Sequence, residues 1–143
     1  IDILLEYVYV AVTYALRAVY YKGKTVSLCD FAYCFDVVFR AGYVWKMIFD
    51  GLHTVHGVNV VSSPNFNSGI VSFYLDNMDS LMTSDVLNDK YDIACRAGLH
   101  CAPLIHKHLG TEKQGLVRVS VSAENTKEEV YAFLNAVDDI SKY

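Results

Sequence analysis

The stretch GLVRVSVSAENTKEEVYAFLNAVDDI, residues 115–140, carries a strand pattern followed at once by a helix pattern. Residues 116–121 alternate between apolar and polar side chains, which predicts a β-strand. Thr126 and Glu129 have the spacing of a capping box, which predicts that a helix begins there. The apolar side chains that follow fall on one stripe at helical spacing: Val130, Phe133, Leu134, Val137 and Ile140.

Helices and strands interleave upstream of this segment as well. The hydrophobic periodicity and the turn residues predict helices over 43–53, 80–87 and 102–109 and strands over 58–61, 70–75 and 91–96. Asp79 or Ser80 can cap the second of these helices, and Gly110 is suited to end the third. The sequence therefore predicts an α+β fold in which helices pack against a small sheet.

Composition limits the class of protein. The chain has 143 residues, the length of one domain, and a formal net charge of −4 without clusters of lysine and arginine, which argues against a nucleic-acid surface. The four cysteines, at 29, 34, 95 and 101, lack the spacing of a disulfide framework. We therefore expect reduced thiols and a cytoplasmic protein.

The segment IDILLEYVYVAVTYALRAVYY, residues 1–21, is apolar enough to raise the question of a membrane span. Glu6 and Arg17 interrupt it, whereas a span needs about 20 largely uncharged residues. It also lacks the basic start and the cleavage site of a signal peptide. We expect no membrane role. Because the pattern fits a strand or a helix, residues 1–44 are assigned only as an apolar extension.

The run RAGLHCAP, residues 96–103, places a cysteine between a glycine-containing turn and a candidate short helix. Backbone N–H groups at a helix start carry partial positive charge and favour the thiolate form. Arg96 and His100 are two further groups that can favour it. Cys101 is therefore the candidate nucleophile, with Arg96 and His100 as supporting residues.

Residues 45–143 resemble the C-terminal small domain of cysteine desulfurases, in the class-V branch of the fold-type-I pyridoxal-phosphate enzymes. The matching pieces are FDGLHTVHGVNVV, GIVSFYLDNMDS, LNDKYDIACRAGLHCAPLIHKHLGT, GLVRVSVS and ENTKEEV, in family order. The resemblance implies an aminotransferase-like small domain with a mostly antiparallel sheet. It also implies that Cys101 accepts sulfur from L-cysteine as a persulfide, leaving L-alanine, and that Arg118 binds the substrate carboxylate.

The family holds pyridoxal phosphate mainly on a large domain that supplies the Schiff-base lysine, and its motifs are not found in this sequence. Lys107 belongs to the small-domain helix and is not that lysine. We expect the chain alone to bind no pyridoxal phosphate, so the resemblance implies a fragment or truncated form of the enzyme. A non-enzymatic sulfur-relay or interaction module is the alternative. A sulfur-acceptor protein and a homodimer are the partners that the resemblance implies.

A metal site is the other function to weigh for this region, because candidate ligands fall close together: Cys95, His100, Cys101, His106 and His108. Their spacing matches no standard zinc pattern. Residues two apart on a helix point in different directions, so His106 and His108 would not both face one ion from it. We therefore expect no metal site.

Overall fold

Four helices and four strands make up the part of the chain that the computed structural model describes, residues 28–65 and 69–143. The helices are α1 (Leu28–Thr54), α2 (Ser80–Tyr91), α3 (Pro103–Leu109) and α4 (Lys127–Ile140). The strands are β1 (Val58–Val60), β2 (Ile70–Leu75), β3 (Arg96–Gly98) and β4 (Leu116–Ser120). The predicted α+β fold is therefore confirmed.

The strands form one antiparallel sheet in the order β1-β2-β4-β3. In the central pair, Val71 lies opposite Val119 and Phe73 lies opposite Val117, and all four side chains are buried. Side chains alternate between the two faces of a strand, so Arg118 lies on the other face, opposite Ser72. The sheet thus has one core face and one face that carries the arginine.

Helices α1, α2 and α4 supply the hydrophobic residues that cover the core face. Phe73 meets Phe133 of α4 edge to face, with ring centroids 6.1 Å apart. The indole Nε1 of Trp45 donates a hydrogen bond to the carbonyl oxygen of Ile70 at 2.9 Å, which ties α1 to the start of β2. The hydrophobic core therefore packs against both central strands, β2 and β4, on one face of the sheet.

Helix α1 is longer than the sequence pattern predicts. The predicted helix covered residues 43–53, whereas α1 runs over Leu28–Thr54 and crosses the predicted boundary between residues 44 and 45 without a break. The division into an extension over 1–44 and a small domain over 45–143 stays a prediction. The structure describes no residue before 28, so the strand-or-helix question for residues 1–21 lies outside the described residues.

The strand predicted over 91–96 is wrong, because Tyr91 ends α2 and only Arg96 begins β3. Asp92 takes a left-handed backbone conformation, with φ of 57°, and its N–H donates to the carbonyl oxygens of Asn88 and Leu87. This arrangement closes the helix C-terminus. The residues between α2 and β3 are irregular, and the strand spans only Arg96–Gly98, so it begins where the predicted range ends.

None of the helices in residues 28–65 and 69–143 combines the length and the apolar character needed to cross a membrane. The apolar segment over 1–21 lies outside the described residues.

The predicted capping box is confirmed at the start of α4. The Glu129 N–H donates to the Thr126 hydroxyl at 3.2 Å, and the Thr126 N–H donates to the Glu129 carboxylate at 3.0 Å. Replacing Thr126 by alanine removes an acceptor for an otherwise unpaired helix N–H, so we expect a loss of about 1 kcal/mol in the free energy of unfolding. Denaturant unfolding measures it, with Thr126→Ser as the control that keeps the hydroxyl. An equal loss in both variants would contradict the capping role.

Candidate functional site

Cys101 lies in a tight turn between β3 and α3. The Ala102 N–H donates to the carbonyl oxygen of Leu99 at 2.8 Å, which closes a four-residue turn. The two central residues, His100 and Cys101, have φ of 50° and 60°. Positive φ at both central positions is the mark of a type I′ turn, which normally uses glycine or asparagine there. The Cys101 side chain is exposed.

The short helix after the turn agrees with the prediction to within one residue. Helix α3 begins at Pro103, with Ala102 as its N-cap, and ends where Gly110 takes a left-handed conformation. Ala102 therefore separates Cys101 from the first helical residue. The thiol lies at the turn itself rather than within the helix start.

The His100 side chain holds the turn against strand β4. Its Nε2 lies 3.0 Å from the carbonyl oxygen of Leu116. A carbonyl oxygen only accepts hydrogen bonds, so we assign the proton of the neutral imidazole to Nε2. Nδ1 then has a free lone pair, and it is buried without a hydrogen-bond partner. His100 thus links the turn that carries Cys101 to the strand that carries Arg118.

Arg118 lies at the middle of β4, directly opposite Arg96 of β3 in the sheet register. Arg96 is exposed and Arg118 is half-buried. The Nε of Arg118 is buried without a hydrogen-bond partner. The fold therefore brings both predicted arginines and His100 to one region of the sheet, next to the turn of Cys101.

Burial lowers the pKa of His100 below its ordinary value of 6.5, and the charges of Arg118, Arg96 and His106 act in the same direction. The hydrogen bond to Leu116 partly opposes this shift. Below about pH 6.5 this histidine is therefore protonated more readily in the unfolded chain than in the folded chain. The imidazole is kept neutral at pH values where a free histidine starts to charge.

From this shift we expect the free energy of unfolding to fall as the pH drops below 6.5, because stability decreases where the unfolded state binds more protons. Denaturant unfolding at a series of pH values measures the dependence. His100→Gln is the matched variant, because its amide nitrogen takes the place of Nε2, can donate to the Leu116 carbonyl oxygen and does not titrate. The difference in stability between wild type and variant should change across this pH range. A constant difference would contradict the assignment.

The left-handed conformation of Cys101 predicts a stability cost at the candidate nucleophile. A non-glycine residue in this region costs about 1–2 kcal/mol, and glycine avoids most of that at a cost of about 0.5–1 kcal/mol in chain entropy. We expect Cys101→Gly to raise the free energy of unfolding by about 0.5–1 kcal/mol. Cys101→Ala, which keeps the Cβ, is the control and should give no comparable gain. Equal stability of the two variants in denaturant would argue against the strain.

The remaining candidate metal ligands have separate structural roles. His106 is buried, and its Nδ1 lies 2.8 Å from the Thr111 hydroxyl. The Cys95 thiol donates to the Ser84 hydroxyl at 3.3 Å, and burial raises its pKa. His108 is exposed on α3. Within the described ranges, no group of three or more His, Cys, Asp or Glu side chains is arranged to hold a metal ion.

Two residues that support the turn were not identified from the sequence. The Ser80 hydroxyl accepts a hydrogen bond from the Gly98 N–H at 3.2 Å, and the Ser80 N–H donates to the carbonyl oxygen of Gln114 at 2.9 Å. Gly115, with φ of +66°, packs against both Ser80 and Gly98. In the sequence, Ser80 is only a candidate helix cap. Gly115 gives no signal beyond its position before a predicted strand.

Comparisons with known proteins show the family to which the chain belongs. Residues 40–133 match the family model described as Aminotransferase class-V. A probable cysteine desulfurase of Methanothermobacter thermautotrophicus is 33% identical over 89 residues, which are 62% of this chain and 22% of that protein. A probable cysteine desulfurase of Halobacterium salinarum is 37% identical over 92 residues, 64% of this chain and 21% of that protein.

Solved structures show the same similarity. The apo structure of a cysteine desulfurase from Thermococcus onnurineus NA1 superposes with a TM-score of 0.69 at 27% identity, over 76% of this chain and 27% of that chain. An Escherichia coli cysteine desulfurase in an S-sulfonic acid form gives 0.63 at 27% identity, over 71% of this chain and 24% of that chain.

The chain spans about a fifth of the length of the curated relatives that it matches. Within that span, the family model covers most of the described sheet and helices, including the turn of Cys101 and the strand of Arg118. The chain therefore belongs to the class-V aminotransferase family and is related to the cysteine desulfurases within it.

Proposed function

We propose that this chain supplies the sulfur-accepting part of a cysteine desulfurase active site, with Cys101 as the nucleophile and Arg118 as the ligand of the substrate carboxylate. The observation that supports this most strongly is the exposed thiol on a left-handed turn that His100 ties to the strand of Arg118. Backbone strain concentrates at functional sites, where the surrounding structure maintains it. L-Cysteine is the substrate that this proposal implies.

The proposed reaction of Cys101 is sulfur acceptance. Its thiolate attacks the sulfur atom of L-cysteine, a new S–S bond forms, and the bond between that sulfur and Cβ breaks with its electron pair left on Cβ, which takes up a proton to give L-alanine. When bound, pyridoxal phosphate would supply the electron sink for that pair. Cys101 then carries a persulfide. An exposed turn suits this role, because the same sulfur must be handed to a second thiol, which we propose belongs to a sulfur-acceptor protein in the cytoplasm.

Arg118 suits the binding of a carboxylate. A guanidinium presents a planar fork of N–H donors that matches the two carboxylate oxygens. The partly buried position of Arg118 strengthens such a contact, because the surroundings are less polar than water. Arg96 lies directly opposite in the register and adds a second positive charge to the same face. We propose Arg96 and His100 as supporting residues.

Pyridoxal phosphate is the cofactor of the family, which holds it through a lysine. A lysine suited to that task is desolvated in a pocket. All lysines of residues 28–65 and 69–143 are exposed instead: Lys46, Lys90, Lys107, Lys113, Lys127 and Lys142. The described residues do not fit the cofactor, so we propose that the groups that hold it lie outside them. By itself this part would serve as a sulfur-relay module, the alternative to a complete catalytic unit.

Release of sulfide tests the proposed function. The chain is incubated with an intact cysteine desulfurase and L-cysteine as the sulfur donor, separated from both, and treated with dithiothreitol. We expect about one sulfide for each chain, because a persulfide is reduced by exchange with an added thiol. A sample alkylated before the incubation serves as the control. Sulfide no higher than in that control would refute sulfur acceptance.

A further inference from the structure

Two buried side-chain atoms in the described ranges have no hydrogen-bond partner, and both belong to the proposed site. They are Nδ1 of His100 and Nε of Arg118. Nearly all buried polar atoms in proteins are paired, so each exception calls for an explanation. In the neutral imidazole assigned above, Nδ1 is an acceptor, whereas Nε–H of Arg118 is a donor. Neighbouring groups of this kind indicate a site built for a polar ligand.

The charge around these atoms indicates the class of ligand. Arg118 and Arg96 lie opposite each other on adjacent strands, and both are close enough to His100 to lower its pKa. Among the described residues, neither guanidinium forms a salt bridge with a carboxylate. His106 of α3 is the other titratable group that acts on the imidazole. Two guanidinium groups without a carboxylate partner favour an anion.

We infer that His100 is a proton-coupled ligand of the carboxylate that Arg118 binds. When the carboxylate is bound, His100 takes up one proton from solvent at Nδ1 and donates it in a hydrogen bond to the ligand. Nε2 donates to the Leu116 carbonyl oxygen in both protonation states, so the ring keeps its orientation. This inference rests on the proposed carboxylate site at Arg118 and adds a second, titrating ligand to it.

The direction of the coupling follows from the charges. Without an anion, Arg96, Arg118 and His106 all disfavour a positive charge on His100. A carboxylate within about 4–6 Å favours the imidazolium and raises the pKa of His100. Linkage is reciprocal, so a carboxylate that raises this pKa must bind more tightly when His100 is protonated. Binding should therefore strengthen as the pH falls.

Acetate is the probe for the test, because it stays ionised across the range in which histidine titrates. The pKa of His100 in the full chain is measured by NMR, with chloride replaced by acetate at constant ionic strength, and His100→Asn identifies the resonance. We expect acetate to raise this pKa by about one unit, which corresponds to about tenfold tighter acetate binding by the protonated form. The exposed His108 is the internal control and should not respond.

Two variants complete the test. Arg118→Gln should abolish the acetate response of His100, and His100→Asn should bind acetate with an affinity that no longer depends on pH. If acetate shifts the Arg118 Nε–H signal while His100 titrates as it does in chloride, the proton-coupled role is wrong and the carboxylate site stands. If neither group responds to acetate, both the coupling and the carboxylate site are refuted.

Discussion

A chain with Cys101→Ser is expected to take up no sulfur from a cysteine desulfurase supplied with L-cysteine. A serine hydroxyl cannot form a persulfide, and its oxygen is a far weaker nucleophile than a thiolate near neutral pH. The exposed turn position is unchanged by this substitution, so the fold should be preserved. The sulfide released by dithiothreitol should fall to the level of a sample alkylated before the incubation.

Cys95→Ser is the matched control for this experiment. Cys95 is half-buried, donates to the Ser84 hydroxyl and has a pKa that burial raises, so it should be a poor nucleophile. Its replacement should leave sulfide release close to that of the wild-type chain. Full sulfide release from the Cys101→Ser variant together with a loss in the Cys95→Ser variant would show that Cys95 accepts the sulfur, and this would contradict the proposed role of Cys101.

Replacement of Gly115 by alanine is expected to lower the free energy of unfolding by about 1.5–4 kcal/mol. Gly115 has φ of +66°, where alanine has a steric cost of about 1–2 kcal/mol and glycine a chain-entropy cost of about 0.5–1 kcal/mol, which leaves a net loss of about 0.5–1 kcal/mol. An added Cβ would also lie 2.4 Å from the Ser80 hydroxyl oxygen and 3.0 Å from the Cα of Gly98. Relief of such contacts costs a further 1–3 kcal/mol, roughly. The displaced groups are those that hold the start of the Cys101 turn.

Gly110 provides the comparison that separates the cost of the backbone conformation from the cost of the steric contacts. Its φ is +70°, but an added Cβ would meet nothing within 4 Å. Gly110→Ala should therefore lose only about 0.5–1 kcal/mol, the steric cost less the chain entropy that glycine loses on folding. Urea unfolding of both variants measures the difference. Equal losses would show that Gly115 is required only for its backbone conformation and that the packing against Ser80 and Gly98 is unimportant.

The sequence predicted the elements whose signals are local. The alternation over 116–121 and the capping box at Thr126 each lie within a few residues, and the structure has a strand and a helix there. The first half of α1 lacks such a signal, because the sequence from Val26 to Phe39 is apolar without a clear period. Strand β3 is only three residues long and depends on its pairing with β4. A local sequence pattern does not predict such a pairing.

The candidate site was predictable in its residues but not in its geometry. The motif RAGLHCAP identified Arg96, His100 and Cys101 together, and the structure gathers them with Arg118. The left-handed turn was not foreseen, because histidine and cysteine are not the residues that indicate positive φ. The contact between His100 and Leu116 joins residues far apart in sequence, and only the pairing of β3 with β4 brings them together.

Peptide mass spectrometry of the sulfur-loaded wild-type chain is the most direct test of Cys101 as the sulfur acceptor. After incubation with the desulfurase and L-cysteine, persulfides are blocked with a selective alkylating reagent and the chain is digested. We expect the added sulfur on the peptide that contains Cys101 and none on the peptides that contain the other three cysteines, at 29, 34 and 95. Sulfur on any other cysteine with an unmodified Cys101, or on none of the four, would contradict the proposed role of the turn.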